Sequence, residues 1–274
     1  MNLINNKYKL IKKIGSGNFG IIFEGINIRT HEKVAIKTEL IANDLRLLKY
    51  ETNIYKILNG IYGVPKIKWY GKDDLYYYMV LDLLGESLQN LKDRMSCFKL
   101  KTILQFGVNM LTILQNIHDK GFIHRDIKPE NFLLTIQNPK QIYIVDFGIS
   151  KPYIINNNHI EFKMTNKFIG TPNFASINSH NFYEQSRRDD LESVAYILFL
   201  FYLGDLEWMD ESIIFSDKED ENNFIKTKKK EFIKNENVPK ILMDYYKLVL
   251  DLDFVERPDY NKYIDSFKKE LSVL

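Results

Sequence analysis

His124-Arg125-Asp126-Ile127-Lys128-Pro129-Glu130-Asn131, followed shortly by Asp146-Phe147-Gly148, sets two aspartates, a carboxamide and a lysine close together in the chain. Moving a phosphoryl group needs few covalent partners but many fixed charges, so an acceptor for a hydroxyl proton and oxygen ligands for Mg2+ have to converge. In that pattern Asp126 is the candidate base and Lys128 a cation for the charge that develops on the transferred group. Asn131 lies on the same loop as Asp126. Asp146 ends the apolar run Ile142 to Val145, so Asn131 and Asp146 are the candidate metal ligands, one from a loop and one from a strand end.

Working outward, Gly15-Ser16-Gly17-Asn18-Phe19-Gly20 lies between two expected strands, Tyr8–Gly15 and Gly20–Asn27. A dinucleotide fold would need a helix after the glycines, whereas a strand-turn-strand lets backbone amides close over phosphates. Val34-Ala35-Ile36-Lys37 puts a lysine on a third strand. From Arg46 to Leu58 the residues Leu47, Leu48, Ile54, Tyr55 and Leu58 recur at helical spacing, with Glu51 on the same face. A carboxylate on a buried stripe requires a positive partner, and Lys37 is the candidate. Lys66–Tyr70 and Leu75–Leu81 complete a small sheet. Beyond Gly85 the pattern becomes helical, with stripes at Ile103, Phe106, Met110, Leu114, Ile117 and at Leu191, Val194, Leu198, Phe201. The polar stretch Ser216–Lys230 is expected to be a loop and a solvated helix.

These motifs together resemble the eukaryotic-type protein kinases. The resemblance implies a bilobal α+β fold: an N-terminal antiparallel sheet with one helix (1–81), a hinge (82–85) and a larger, mainly helical lobe (86–274). It also implies ATP and Mg2+ as cofactors. Ile14, Gly15, Gly17, Gly20, Ile22, Ala35, Lys37, Leu81, Asp82, Leu84 and Leu133 would then hold the nucleotide, Leu81 gating the back of the adenine pocket and the backbone of Asp82–Leu84 binding the base. Lys37, Glu51, Asp126, Lys128 and Asn131 would form the catalytic set, Thr171 would orient the base, and His124 and Phe147 would be packed rather than reactive.

Within the kinases, Tyr50–Leu58, Asp82–Gly85, Ala175-Ser176-Ile177-Asn178 and Glu184–Ser193 closely resemble the casein kinase I family, with the vaccinia-related kinases next. That implies phosphate transfer from ATP to protein serine or threonine; a pseudokinase scaffold is the alternative, and a small-molecule phosphotransferase a third reading. Two departures stand out. Gly170-Thr171-Pro172-Asn173 lacks the arginine that the family normally carries after Gly-Thr-Ala, and the usually basic segment reads Ser216-Asp217-Lys218-Glu219-Asp220-Glu221. Both weaken the expected preference for phosphorylated substrates, unless Lys228, Lys229 and Lys230 compensate.

Composition sets outer bounds. A chain of 274 residues, 45% hydrophobic, can bury a sizeable core, and a net charge of +2 does not mark a nucleic-acid binder. One cysteine, Cys97, excludes an intrachain disulfide and fits a reducing compartment. Without an apolar stretch long enough to cross a bilayer or a secretory h-region in Met1–Lys13, the expectation is a cytoplasmic or nuclear monomer with protein substrates and no nucleic-acid or membrane partner.

Overall fold

β-Branched and aromatic residues alternating with polar ones build strands β1 (Tyr8–Gly17), β2 (Gly20–Asn27), β3 (Lys33–Leu40), β4 (Ile67–Lys72) and β5 (Tyr76–Asp82), with helix α1 (Leu47–Ile57) between β3 and β4. In the computed structural model, which describes residues 3–17, 20–42 and 46–274, these strands form one antiparallel sheet ordered β1-β2-β3-β5-β4. The register sorts the side chains by face. Ile36 lies opposite Phe23 and Val80, and Val34, Ile36 and Val80 join Tyr8 and Tyr78 in a buried cluster. Lys37 lies opposite Ile22 and Met79, and Ala35 opposite Leu81, so these residues share the other face.

Helix α1 lies against that second face, where the Thr52 hydroxyl is 3.3 Å from the Met79 sulfur. Leu48, Ile54 and Tyr55 are buried along its apolar stripe, as is Glu51. The amides of Leu47 and Leu48, unsatisfied within the helix, donate to the two carboxylate oxygens of Glu39, each at 3.1 Å.

Contacts divide the chain into two compact units, Met1–Glu86 with Leu133–Gly148, and Ser87–Phe132 with Ile149–Leu274. The first break falls one residue beyond the expected hinge. Residues 133–148, which the sequence reading put in the helical lobe, group with the sheet instead.

The second unit carries α2 (Leu88–Met95), α3 (Leu100–His118), α4 (Ile177–His180), α5 (Arg187–Leu203), α6 (Lys218–Glu231), α7 (Lys240–Leu250) and α8 (Tyr260–Leu271). Every residue of α5 from Leu191 to Phe201 is buried, which places this helix in the middle of the core. The whole expected stripe of α3 is buried too. A Cβ on Gly107 would come within 2.6 Å of the Phe267 ring, so glycine is what lets α3 and α8 approach.

One expectation is corrected in α6. Asp217 caps it, accepting from the amides of Glu219 and Asp220, and the helix is not solvated throughout: Ile225 and Lys229 are buried.

Candidate active site

In the sheet unit, Lys37 Nζ lies 2.8 Å from Glu51 Oε2 and 3.0 Å from Asp146 Oδ1. Burial alone would push the lysine pKa down, but the two carboxylates outweigh it and hold the group above its ordinary value. Burial pushes Glu51 up, against the pull of Lys37. The two rises have different causes: the Glu51 and Asp146 charges raise Lys37, whereas burial, with a smaller push from the Asp146 charge, raises Glu51. Of the two acids, the Glu51 side chain is 2% exposed and that of Asp146 31%, so Asp146 is the one open to a further cation.

Asp146 has a left-handed backbone, φ 67°, which costs an L-residue about 1–2 kcal/mol. Its N–H donates to the Tyr55 hydroxyl at 3.3 Å, and the Tyr55 ring packs edge-on to Phe147 at 5.0 Å. Tyr55 is thus a support that the sequence reading counted only as an apolar stripe residue. The signal was its position one helical turn after Glu51.

The expected nucleotide residues all fall in this unit. Gly15 pairs with Ile22 and Gly17 with Gly20 in the β1–β2 hairpin; Asn18 and Phe19 lie outside the described residues. Gly20 has φ 134°, and a Cβ there would sit 1.8 Å from the Thr38 carbonyl oxygen, so no other residue fits. Ile14 occupies a register irregularity and is exposed. Leu81 is buried, whereas Ala35, Leu84 and Leu133 are half-buried. Asp82 narrows the hinge reading: its N–H donates to Lys66 O, and its carboxylate accepts from Lys66 N and meets Lys68 Nζ. That N–H and side chain serve the sheet rather than a base. Gly85 N–H donates to Leu134 O, and Leu134 N–H to Glu86 O, which sets Leu133 beside the hinge stretch.

In the helical unit the loop carrying Asp126 is suspended from α5. The Asp190 carboxylate accepts from the amides of His124 (2.7 Å) and Arg125 (2.9 Å) and lies 2.9 Å from His118 Nε2, whose Nδ1 meets the Tyr260 hydroxyl at 2.5 Å. Burial would raise the Asp190 pKa, but these hydrogen bonds, His118 first, hold it below the usual carboxylate value. The tethers fix Arg125 in a left-handed backbone, φ 69°.

The Asp126 carboxylate is gripped on both oxygens. Oδ1 accepts from the Thr171 hydroxyl at 2.6 Å, and Oδ2 lies 2.8 Å from Lys128 Nζ and 3.2 Å from Asn131 Nδ2. Lys128 also donates to the Thr171 hydroxyl at 3.0 Å, and Asn131 Nδ2 to the Asp126 carbonyl at 2.8 Å. With its amide nitrogen turned to Asp126, Asn131 has its carbonyl oxygen as the atom suited to a metal. His124 and Phe147 are fully buried.

The donor chemistry fits Mg2+. The cation prefers hard oxygen ligands and takes one or two from protein, with phosphates and water completing its shell. A carboxylate at Asp146 and a carboxamide at Asn131 are of that kind.

The protein kinase domain family matches residues 8–266. The chain belongs to that family. Its antiparallel sheet with α1, followed by a larger helical part, is the kinase fold expected from the sequence. In this kinase Asp189 links the Ser176–Asn178 stretch to the start of α5 by accepting from Ser176 Oγ, Asn178 Nδ2 and Ser186 N. Glu192 adds a contact from Ile177 N at 2.7 Å. Asp189 and Glu192 were missed as supports; their trace was a polar first half of α5, with three acids at Asp189, Asp190 and Glu192, ahead of its apolar run.

Proposed function

We propose that this kinase is an active serine/threonine kinase of the casein kinase I type, and that its catalytic residues are Lys37, Glu51, Asp126, Lys128 and Asn131, with Asn131 and Asp146 as Mg2+ ligands. The observation that carries the reading is the Asp126 carboxylate, held on both oxygens by donors while 12% exposed. A carboxylate fixed in this way suits acceptance of a proton from an acceptor hydroxyl. As the hydroxyl oxygen bonds to the γ-phosphorus of ATP, its proton passes to Asp126 and the bond from that phosphorus to the β–γ bridging oxygen breaks, releasing ADP. Lys128 neutralises charge on the transferred group, and Lys37, steadied by Glu51, addresses the α- and β-phosphates. Mg2+ would supply charge neutralisation of the triphosphate.

The casein kinase I subtype rests on Ala175–Asn178 together with Glu184–Ser193, two stretches joined by the Asp189 hydrogen bonds. A reducing compartment, cytoplasm or nucleus, suits the single cysteine. A peptide array with Mg-ATP, comparing the wild type with Asp146→Asn and scoring phosphoserine, phosphothreonine and phosphotyrosine separately, tests the reading. Incorporation into serine and threonine that vanishes in the variant supports it. No incorporation by the wild type leaves the scaffold reading, and transfer to a sugar or drug but not to casein revives the small-molecule reading.

A further inference from the structure

Lys229 sits in the most polar run of the chain, yet it is completely buried. Its Nζ donates to the carbonyls of Pro172 (2.7 Å) and Ala175 (2.6 Å), approaches His180 Nε2 at 3.2 Å, and stands over the rings of Tyr196 and Trp208 at 4.6 and 5.7 Å. Asn222 fixes the histidine tautomer. Its Nδ2 donates to the His180 carbonyl, which turns its Oδ1 toward His180 Nδ1 at 2.6 Å; that nitrogen carries the ring proton and Nε2 is left to accept. All three N–H bonds of an ammonium therefore meet acceptors. Burial pushes the Lys229 pKa down, with the Glu192 charge opposing.

What Lys229 grips is a closed turn. The amides of Phe174 (3.0 Å) and Ala175 (2.8 Å) both return to the Thr171 carbonyl, and Trp208 Nε1 donates to the Asn173 carbonyl at 2.9 Å. Three carbonyls of Pro172–Ala175 are thus held from α6 and from the turn Glu207–Met209, while Thr171 at the head of the same turn donates to Asp126. An apolar residue at position 229 would fill the space but leave those acceptors unsatisfied, so the lysine is there for the turn.

We propose that Lys229 is a positioning residue: by clamping the Thr171–Ala175 turn it fixes the Thr171 hydroxyl against Asp126. Its catalytic half rests on the kinase reading above; the clamp does not. The test uses the full chain and Lys229→Met, which keeps the stem and removes the donors. Amide hydrogen exchange is followed by mass spectrometry, and kcat and KM are measured with Mg-ATP and a casein-derived peptide.

In Lys229→Met, exchange at Phe174 and Ala175 should accelerate by about 10-fold or more while α3 and α8 stay protected. The kcat should fall by about 10-fold or more with KM for ATP within about two-fold, and the loss should shrink to about two-fold in a Thr171→Val background, because both changes disable one device. Unchanged exchange at 174 and 175, or losses that multiply in full, overturns the proposal. Should Lys229→Met fail to melt cooperatively, Trp208→Phe, which removes the donor to Asn173, is judged by the same criteria. A wild type that transfers no phosphate overturns the kinase reading and the catalytic half together, and the exchange result then decides the clamp alone.

Discussion

The Thr171 hydroxyl donates to Oδ1 of Asp126 at 2.6 Å across 45 positions of sequence. A hydrogen bond to a charged partner contributes about 1.5–3 kcal/mol, so Thr171→Val should lower kcat by about 10- to 10²-fold. KM for ATP should stay near the wild-type value, since the threonine and the expected nucleotide residues belong to different units. Steady-state kinetics decide the matter: an unchanged kcat makes Thr171 a turn residue only.

Replacing the base itself should cost more. Asp126→Asn removes the proton acceptor but keeps the side-chain volume, and general-base catalysis is typically a factor of about 10²–10⁴. We expect kcat to drop by that factor while the thermal midpoint stays close to that of the wild type. A variant that loses its folded state would instead show that the contacts to Thr171, Lys128 and Asn131 are structural.

Lys37 and Glu51 are both nearly inaccessible, so their pairing bears on stability as well as chemistry. Glu51→Ala removes one of the two carboxylates at the buried ammonium and keeps Asp146, and breaking a buried pair costs about 3–5 kcal/mol. The remaining partner puts the expected loss at about 3 kcal/mol, with KM for ATP raised. Urea unfolding measures the first and a substrate titration the second; an unchanged unfolding midpoint would contradict the paired geometry.

The strands, α1 and the α3 and α5 stripes were legible because each obeys its own local period, and Glu51 announced a partner by standing on an apolar face. What was not legible depended on tertiary neighbours. Nothing local marks Glu39 as the acceptor for the start of α1, nor Asp82 as a sheet contact rather than a free hinge residue. Residues 133–148 follow a helical region in sequence yet pack with the sheet, because Leu134 bonds to Gly85 and Glu86, and Ile144 N–H to Gly63 O. Lys229 is the sharpest case: flanked by lysines, it reads as solvated, and only the turn it serves explains its burial.

His180 provides a pH signature. Burial first, and Lys229 second, depress its pKa from 6.5 to about 3. Between those values the unfolded chain binds a proton that the folded chain refuses, so this group's contribution, full above pH 6.5, is lost as pH falls toward 3. The loss should reach about 3 kcal/mol by pH 4. Glu192, raised to about 7 chiefly by burial, acts with the opposite sign over part of this range, because the folded state takes up its proton first. The difference between wild type and His180→Gln therefore isolates the histidine: urea midpoints from pH 7 to 4 should fall less steeply in the variant, and parallel curves would sink the assignment.

Substrate preference follows from where the lysines of α6 end up. Asn173 stands where the proposed casein kinase I type would call for an arginine, and its carbonyl is held by Trp208. Of the lysines that were candidates to replace that charge, Lys229 is buried and Lys228 lies 3.1 Å from Glu207. Lys230 is exposed, but Asp217, Glu219, Asp220 and Glu221 crowd the start of the same helix. An incoming phosphate would meet repulsion with little to offset it. We therefore expect similar kcat/KM on matched peptides with and without a phosphoserine upstream of the acceptor, and a phosphopeptide advantage of more than about 10-fold, roughly 1.4 kcal/mol, would refute the charge argument. Asn173→Arg should move the ratio toward the phosphopeptide, because it restores a cation beside the Thr171 turn without touching the Asp126 contacts.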